Sequence, residues 1–343
     1  MHAAFAISIL ALALTYAGVE MMRRWLLHRE LLDHPNERSS HSTPTPRGGG
    51  AVIFAVCMAA YGAGSVLFHF PFIWAYFVGS FLIAMVSWLD DVYSVPTPIR
   101  FAVHLAAAVL AIWQMGSWEV VYSPFGTGQV VLGHAGTVLT VLWIVWMINA
   151  YNFMDGIDGI AGIQGVVAAA GWALAGAIGG ANDLTFYSAA VGAACLGFLI
   201  HNWQPAKIFM GDIGSAFLGY TFALLPLLTL KVPAIERSSP WLAAAFVWLF
   251  VFDTVLTLIR RAFRGEKVWT AHRSHIYQRM VVAGRSHAAV SKTYGVLASL
   301  VVAGAVLALF DPFYWFATAM IAAAAAVYLV IFGYFYSGVD LKQ

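Results

Sequence analysis

The sequence predicts an all-α fold, a polytopic membrane bundle of about eleven transmembrane helices, and three observations carry that expectation. Of its 343 residues, 61% are hydrophobic and only 10% are charged, against roughly 45–50% apolar and 25% charged residues in soluble domains. The apolar residues gather in long runs, near the ~20 residues that one membrane crossing needs. The basic residues keep almost entirely to alternate loops. Eleven crossings leave no room for a large soluble domain, so one domain spanning 1–343 is expected. A net charge of +2 gives no bulk attraction to nucleic acid. Cys57 and Cys195 fall inside apolar runs, with neither a disulfide framework nor metal-type spacing.

The first run, Ala3–Val19, has small residues near Ala17 but no positive segment before it, and Arg23 and Arg24 follow it. It is expected to be an uncleaved first span with its N-terminus outside rather than a signal peptide. The next runs are Gly49–Phe68, Phe72–Leu89, Ile99–Met115 and Gly136–Tyr151. Ile160–Ile178, Leu184–Ile200, Ile213–Leu230 and Pro240–Phe263 follow, and Ala289–Phe310 and Pro312–Phe335 complete the set. Glycine and alanine are frequent in them, as close helix–helix approach in lipid favours. An N-out, C-in arrangement puts Arg23, Arg24, Arg29, Arg38 and Arg47 in the first cytoplasmic loop. Another eight basic residues, from Arg260 to Lys292, fall in the loop after the ninth span. Of 18 basic residues, only Lys231 and Arg237 are then left outside, which is the bias expected of inward-facing loops. The outer stretch "SWEVVYSPFGTGQVVLGHAG" is expected to form a small hairpin.

The same arrangement brings four polar clusters to the cytoplasmic face. In "LDDVYSVPTPIR", Asp90 and Asp91 are adjacent carboxylates, which repel unless a cation, a proton or water intervenes. They are either a solvated helix end or a base or metal contact near the headgroups. In "NAYNFMDGIDG", Asn149, Asn152, Asp155 and Asp158 recur every third residue. Such steps rotate about −60° on a helix, so the helix is expected to stop near Gly156 and Asp158 to cap the next one. Capping accounts for Asp158 alone. "KIFMGDIGSAFLGY" places Lys207 before Asp212, with Gly211, Gly214 and Ser215 opening the eighth span. Small residues let backbone N–H groups approach a phosphate at a helix start, and Asp212 suits Mg²⁺, which needs only one or two protein carboxylates beside a phosphorylated substrate. "WTAHRSHIYQR" offers His272, Arg273, His275 and Arg279 to a diphosphate. Zn²⁺ binding would want Cys or an HExxH segment there, and a basic loop against anionic lipid is the plainer alternative. Asp253 lies inside an apolar run, where an ionisable group usually faces a cavity or a partner. Acids, a metal candidate and diphosphate-binding bases on one face suit phosphoryl transfer between a cytosolic nucleotide and a lipid phosphate.

Five segments then occur in a familiar order: "DHPNERSSHSTPTPRGGG", "WLDDVYSVPTPIR", "NAYNFMDGIDGIAG", "PAKIFMGDIGSAFLG" and "HRSHIYQR". The chain resembles the polyprenyl-phosphate N-acetylhexosamine-1-phosphate transferases of glycosyltransferase family 4, over nearly its whole length. The resemblance implies that a UDP-N-acetylhexosamine and undecaprenyl phosphate give undecaprenyl-diphospho-sugar and UMP. It implies Mg²⁺, with Mn²⁺ as the alternative, held by Asp212 and Asp91, and catalytic roles for Asp90, Asp91, Asp155 and Asp158. Arg47, Asn149, Asn152, Asn202 and Lys207 would bind substrate, as would His272, Arg273, His275 and Arg279. A bacterial inner-membrane location, a cytoplasmic catalytic face and a homodimer are further expectations.

Two departures narrow the donor. Arg273 interrupts the run of histidines that the muramyl-pentapeptide translocases carry, and "TPRGGG" lacks their usual Met. The branch that starts O-antigen or other surface polysaccharides fits better, with UDP-GlcNAc or a 6-deoxy derivative as donor and UDP-MurNAc-pentapeptide as the alternative. Two other classes compete: an ion-coupled transporter using Asp253 and Asp155, and a non-enzymatic polyprenyl-lipid-binding protein.

Overall fold

A computed structural model describes residues 2–35, 43–267 and 273–335. The chain starts with α1 (His2–His28), and a short hairpin follows, β1 (Leu32–Asp33) against β2 (Thr45–Pro46). Next come α2 (Gly50–Phe68), α3 (Trp74–Tyr93) and α4 (Thr97–Met115), then β3 (Val120–Tyr122) and β4 (Gln129–Val131). The middle of the bundle is α5 (His134–Met154), α6 (Ile160–Gly179), α7 (Asn182–Asn202) and α8 (Asp212–Leu228). It closes with α9 (Ser239–Phe246), α10 (Trp248–Phe263), α11 (Ile276–Val282), α12 (His287–Leu307) and α13 (Tyr314–Val330). Among the described residues ten helices are each long and apolar enough to cross a membrane, and counting the bent pair α9–α10 as one span gives eleven. The polytopic helical fold expected from composition is therefore present.

One expected span is not a single rod. The run Pro240–Phe263 is bent by 64° between α9 and α10, at Val247. Breaking a helix in lipid frees backbone groups that need new partners. Here Gln164 of α6 supplies one, donating to the Phe246 carbonyl at 2.8 Å. Because of the bend, α10 turns Asp253, Thr254, Thr257 and Arg261 into the protein, while Phe263 stays 89% exposed. α1 also runs past its expected end at Val19 and continues to His28.

At the centre α8 packs against α2, α3, α5 and α9, and its side chains are almost all buried. Large apolar side chains cover the perimeter, Trp113 and Met320 among them, as a lipid-facing surface requires. The expected outer hairpin is present as β3 and β4, in register Val120↔Val131. Trp241 pins it to α9 by donating to the Tyr122 carbonyl at 2.7 Å. At the opposite end of the bundle the four polar clusters meet.

Candidate active site

Two distant segments form the floor of this site through their backbones. Phe209 N–H donates to the Pro46 carbonyl at 2.8 Å, and Gly48 and Gly49 N–H both donate to the Phe209 carbonyl at 3.0 Å. Gly50 N–H then donates to Met210 at 2.8 Å. "TPRGGG" and "KIFMGD" are thereby laced into one surface, with Arg47 and Asp212 side by side. Glycine makes this possible where α2 and α8 begin. A Cβ on Gly50 would sit 2.4 Å from the Gly214 Cα, and one on Gly214 would sit 2.5 Å from the Gly50 Cα. Gly211, with φ +77°, makes the turn that aims Asp212 along the start of α8, in a conformation L side chains rarely adopt.

Arg47 is the cation among these acids. Its Nη2 donates to Asp212 Oδ1 in a short bond and stands 3.4 Å from Asp91 Oδ1. Arg100 claims Asp90 instead. The adjacent acids of α3 turn to different arginines, and only Asp91 joins the cluster. Among the described residues no three His, Cys, Asp or Glu side chains converge closely enough to hold a metal ion by themselves. Asp91 and Asp212 do aim carboxylate oxygens at one shared point, now taken by a guanidinium nitrogen. Two hard oxygen donors on a common point fit a Mg²⁺ that completes its shell with substrate phosphates and water.

Beside this pair lies a cavity of about 200 Å³. Asp33, Asp155, Asp158 and Asp212 face it, together with Arg47. Asp155 caps the C-terminal end of α5. Burial pushes its carboxyl up to about 7; Arg47 opposes the rise, and the Asp212 and Asp158 carboxylates add to it. Asn152, Asn202, Gln278 and His287 supply further polar lining. Asn202 is a tie between motifs: it accepts from Gly159 N–H at 2.9 Å and donates to the Ile208 carbonyl at 2.9 Å.

The helix after "NFMDGIDG" starts differently from expectation. Its N-cap is Gly159, at φ +81°, and Asp158 makes no cap bond. Asp158 Oδ2 instead accepts from Ala206 N–H at 3.1 Å, and Oδ1 stands 3.2 Å from His287 Nδ1. The acid is drawn across to the neighbouring loop and to α12, so it holds elements together rather than finishing one.

Several expected site residues stand elsewhere. Asn149 does not reach the cavity; it bonds back to Val145 at 2.7 Å and faces His104. Between it and Asn152, Tyr151 is fully buried against Phe222 and Phe250, so α5 turns that part of the motif into the core. Lys207 is exposed. Arg279 donates to the Gly333 carbonyl at 2.9 Å and stacks on Tyr334. His272 lies outside the described residues, and Arg273 is half-buried at the edge of them. His275 is buried at 3% exposure and pairs with Asp253, 3.2 Å from its Nδ1.

Asp253 explains how that last motif is held. Its two oxygens also accept from Ile276 N–H at 2.8 Å, Tyr277 N–H at 3.2 Å and Tyr294 at 2.7 Å, with Thr257 at 3.2 Å. The in-membrane acid thus anchors the start of α11, and α11 delivers Gln278 to the cavity. Motif reading did not single out Asp33, Gln278 or His287. Only Ser286, which caps α12 by accepting from Ala289 N–H, marks the neighbourhood of His287.

Fold and site define a class: a multi-pass membrane protein with a carboxylate-rich cavity at one end of its bundle. The family model for glycosyl transferase family 4 matches residues 73–230. A probable undecaprenyl-phosphate N-acetylglucosaminyl 1-phosphate transferase from Bacillus subtilis is 30% identical, over 83% of this chain and 78% of its own. The decaprenyl-phosphate N-acetylglucosaminephosphotransferase of Mycobacterium tuberculosis is 30% identical over 82% and 76%. An undecaprenyl-phosphate alpha-N-acetylglucosaminyl 1-phosphate transferase from Haemophilus influenzae is 28% identical over 81% and 78%. The chain belongs to glycosyl transferase family 4.

Proposed function

We propose that the protein transfers an N-acetylhexosamine-1-phosphate from a UDP-sugar to a polyprenyl phosphate, undecaprenyl phosphate in particular, and releases UMP. The observation that carries this reading is the convergence of Asp91 and Asp212 on one cationic point beside the cavity. Mg²⁺ is the proposed metal, with Asp91 and Asp212 as its protein ligands, and when bound it would neutralise charge on the diphosphate. The remaining roles belong to the chain. Arg47 holds the two ligand carboxylates together and offers a guanidinium to phosphate oxygens. Asp155, whose carboxyl burial pushes up to about 7, would take the proton from a lipid phosphate as its oxygen attacks. Asn152 and Gln278 offer amide groups to the donor, and the apolar perimeter accommodates the polyprenyl chain. The basic loops orient this end towards the cytoplasm of a bacterial inner membrane, where UDP-sugars reside.

N-acetylglucosamine is the first donor to test, because the similar enzymes are named for it. Arg273 and "TPRGGG" argue against a muramyl-pentapeptide donor and for a role at the start of surface-polysaccharide assembly. Purified protein in detergent is expected to release UMP with Mg²⁺, undecaprenyl phosphate and one UDP-N-acetylhexosamine of a panel. Turnover should disappear in EDTA and in Asp212→Asn. Absence of UMP with every donor, from protein that still binds the lipid, would overturn the transferase reading.

A further inference from the structure

His287 opens α12 from within "GRSHAAV", outside all the motifs that suggested the chemistry. It is 9% exposed and lines the cavity. Its side-chain contacts run through Nδ1 to one residue: Asp158 N–H donates to it at 3.4 Å, and Asp158 Oδ1 stands 3.2 Å away. Nε2, at the far side of the ring, has no hydrogen-bond partner among the described residues and is not sealed off. The ring is fixed from behind and open in front.

The support behind it is rigid. Asp158 Oδ2 is held by Ala206 N–H at 3.1 Å, and the Asp158 carbonyl accepts from Ser291 at 2.7 Å. Gln204 accepts from Ala288 N–H at 2.7 Å, which fixes the first turn of α12 against the same loop. Asp158 also presents both kinds of partner to Nδ1. A neutral ring with its proton on Nε2 can accept from the Asp158 N–H. A charged ring can donate Nδ1–H to the Asp158 carboxylate. Both of these forms carry a hydrogen on Nε2, and only a neutral ring donating Nδ1–H to Oδ1 leaves Nε2 as an acceptor. An oxyanion entering a cavity otherwise crowded with carboxylates selects the forms with that hydrogen, and is the natural partner of Nε2 as a donor.

We propose that His287, oriented by Asp158, is a phosphate-binding residue that donates from Nε2 to a non-bridging oxygen of the nucleotide diphosphate. This assignment rests on the transferase reading and adds a contact to it. Asp158 then acts through the imidazole, as a positioning residue.

Two substitutions separate the two ends of the ring. In His287→Asn the side-chain amide falls near the place of Nδ1, so the link to Asp158 is kept and the cavity donor is lost. In His287→Gln the amide reaches the place of Nε2, so the donor is kept and the link is weakened. The full chain in detergent, with Mg²⁺ present, is titrated calorimetrically with UDP and separately with uridine. His287→Asn is expected to weaken UDP binding about tenfold, the scale of one charge-assisted hydrogen bond, and to leave uridine binding unchanged. His287→Gln should retain most of the wild-type UDP affinity. The proposal is overturned if His287→Asn binds UDP as well as His287→Gln does, the order a purely structural role predicts. It is overturned equally if uridine affinity falls in step with UDP. Wild-type protein that binds neither UDP nor a UDP-sugar defeats the transferase reading itself; wild-type binding with an unaffected Asn variant defeats only the role of His287.

Discussion

At Asp155 the cavity holds a carboxyl group that ionises near pH 7, well above the usual carboxylate range, because burial and two neighbouring carboxylates outweigh Arg47. The unfolded chain releases this proton near pH 4. Between those values the folded protein binds the extra proton, so stability from this group is complete below about pH 4 and is lost as pH rises through 7. In metal-free protein Asp155→Asn should therefore stabilise the fold at pH 8 by about 2–4 kcal/mol. The gain should shrink towards zero near pH 4. Thermal unfolding in detergent with EDTA across that range checks it, and a pH-independent difference would contradict it. Residue types were the legible part of this site: Asp91, Asp155, Asp212 and Arg47 all stand out from their motifs. Directions were not. Asp90 and Asp91 look equivalent in "WLDDV", yet Arg100 removes one of them from the cluster. His287 carries no signal beyond a serine cap, because its meaning comes from Asp158, 129 positions earlier.

Among the elements, α2 and α8 determine how closely Arg47 approaches Asp212. Gly50 and Gly214 meet backbone to backbone, so neither side can yield by rotating a side chain. Gly214→Ala should force the helices apart, at a cost of about 1–3 kcal/mol as for other overpacked contacts. It should also lower UMP release more than tenfold by separating Arg47 from Asp212. Paired unfolding and turnover measurements on this variant test that, and unchanged turnover would show the spacing to be unimportant. Apolar runs made the helices themselves legible, and the hairpin was expected from the outer stretch between the fourth and fifth runs. The bend between α9 and α10 was invisible, since Pro240–Phe263 reads as one continuous span. Its partner, Gln164, comes from another helix, and hydropathy has no access to such a contact. The anchoring of α11 by Asp253 was hidden for the same reason, although the oddity of an acid in an apolar run was plain.

For the whole molecule, orientation is the property on which access to a nucleotide depends. Cys57 and Cys195 are both fully buried, so introduced cysteines can report alone. Gly126→Cys, between β3 and β4, should react with a membrane-impermeant maleimide in intact cells. Gly265→Cys, just after α10, should react only once the cells are permeabilised. The reverse pattern would invert the bundle and put the cavity out of reach of cytosolic donors. Charge bias along the chain is a whole-molecule signal, so it gives an expected orientation while saying nothing of local side-chain geometry.

The crowding of acids around Arg47 also has a kinetic side. Four carboxyl groups and one guanidinium line the space a diphosphate would enter, and a polyanion arriving alone meets repulsion before it meets any fitting contact. Such a site screens callers by charge first and by shape afterwards. Initial-rate patterns would then be ordered, with a compensating cation entering before the donor or together with it, and high concentrations of uncomplexed nucleotide would be tolerated without blocking the door.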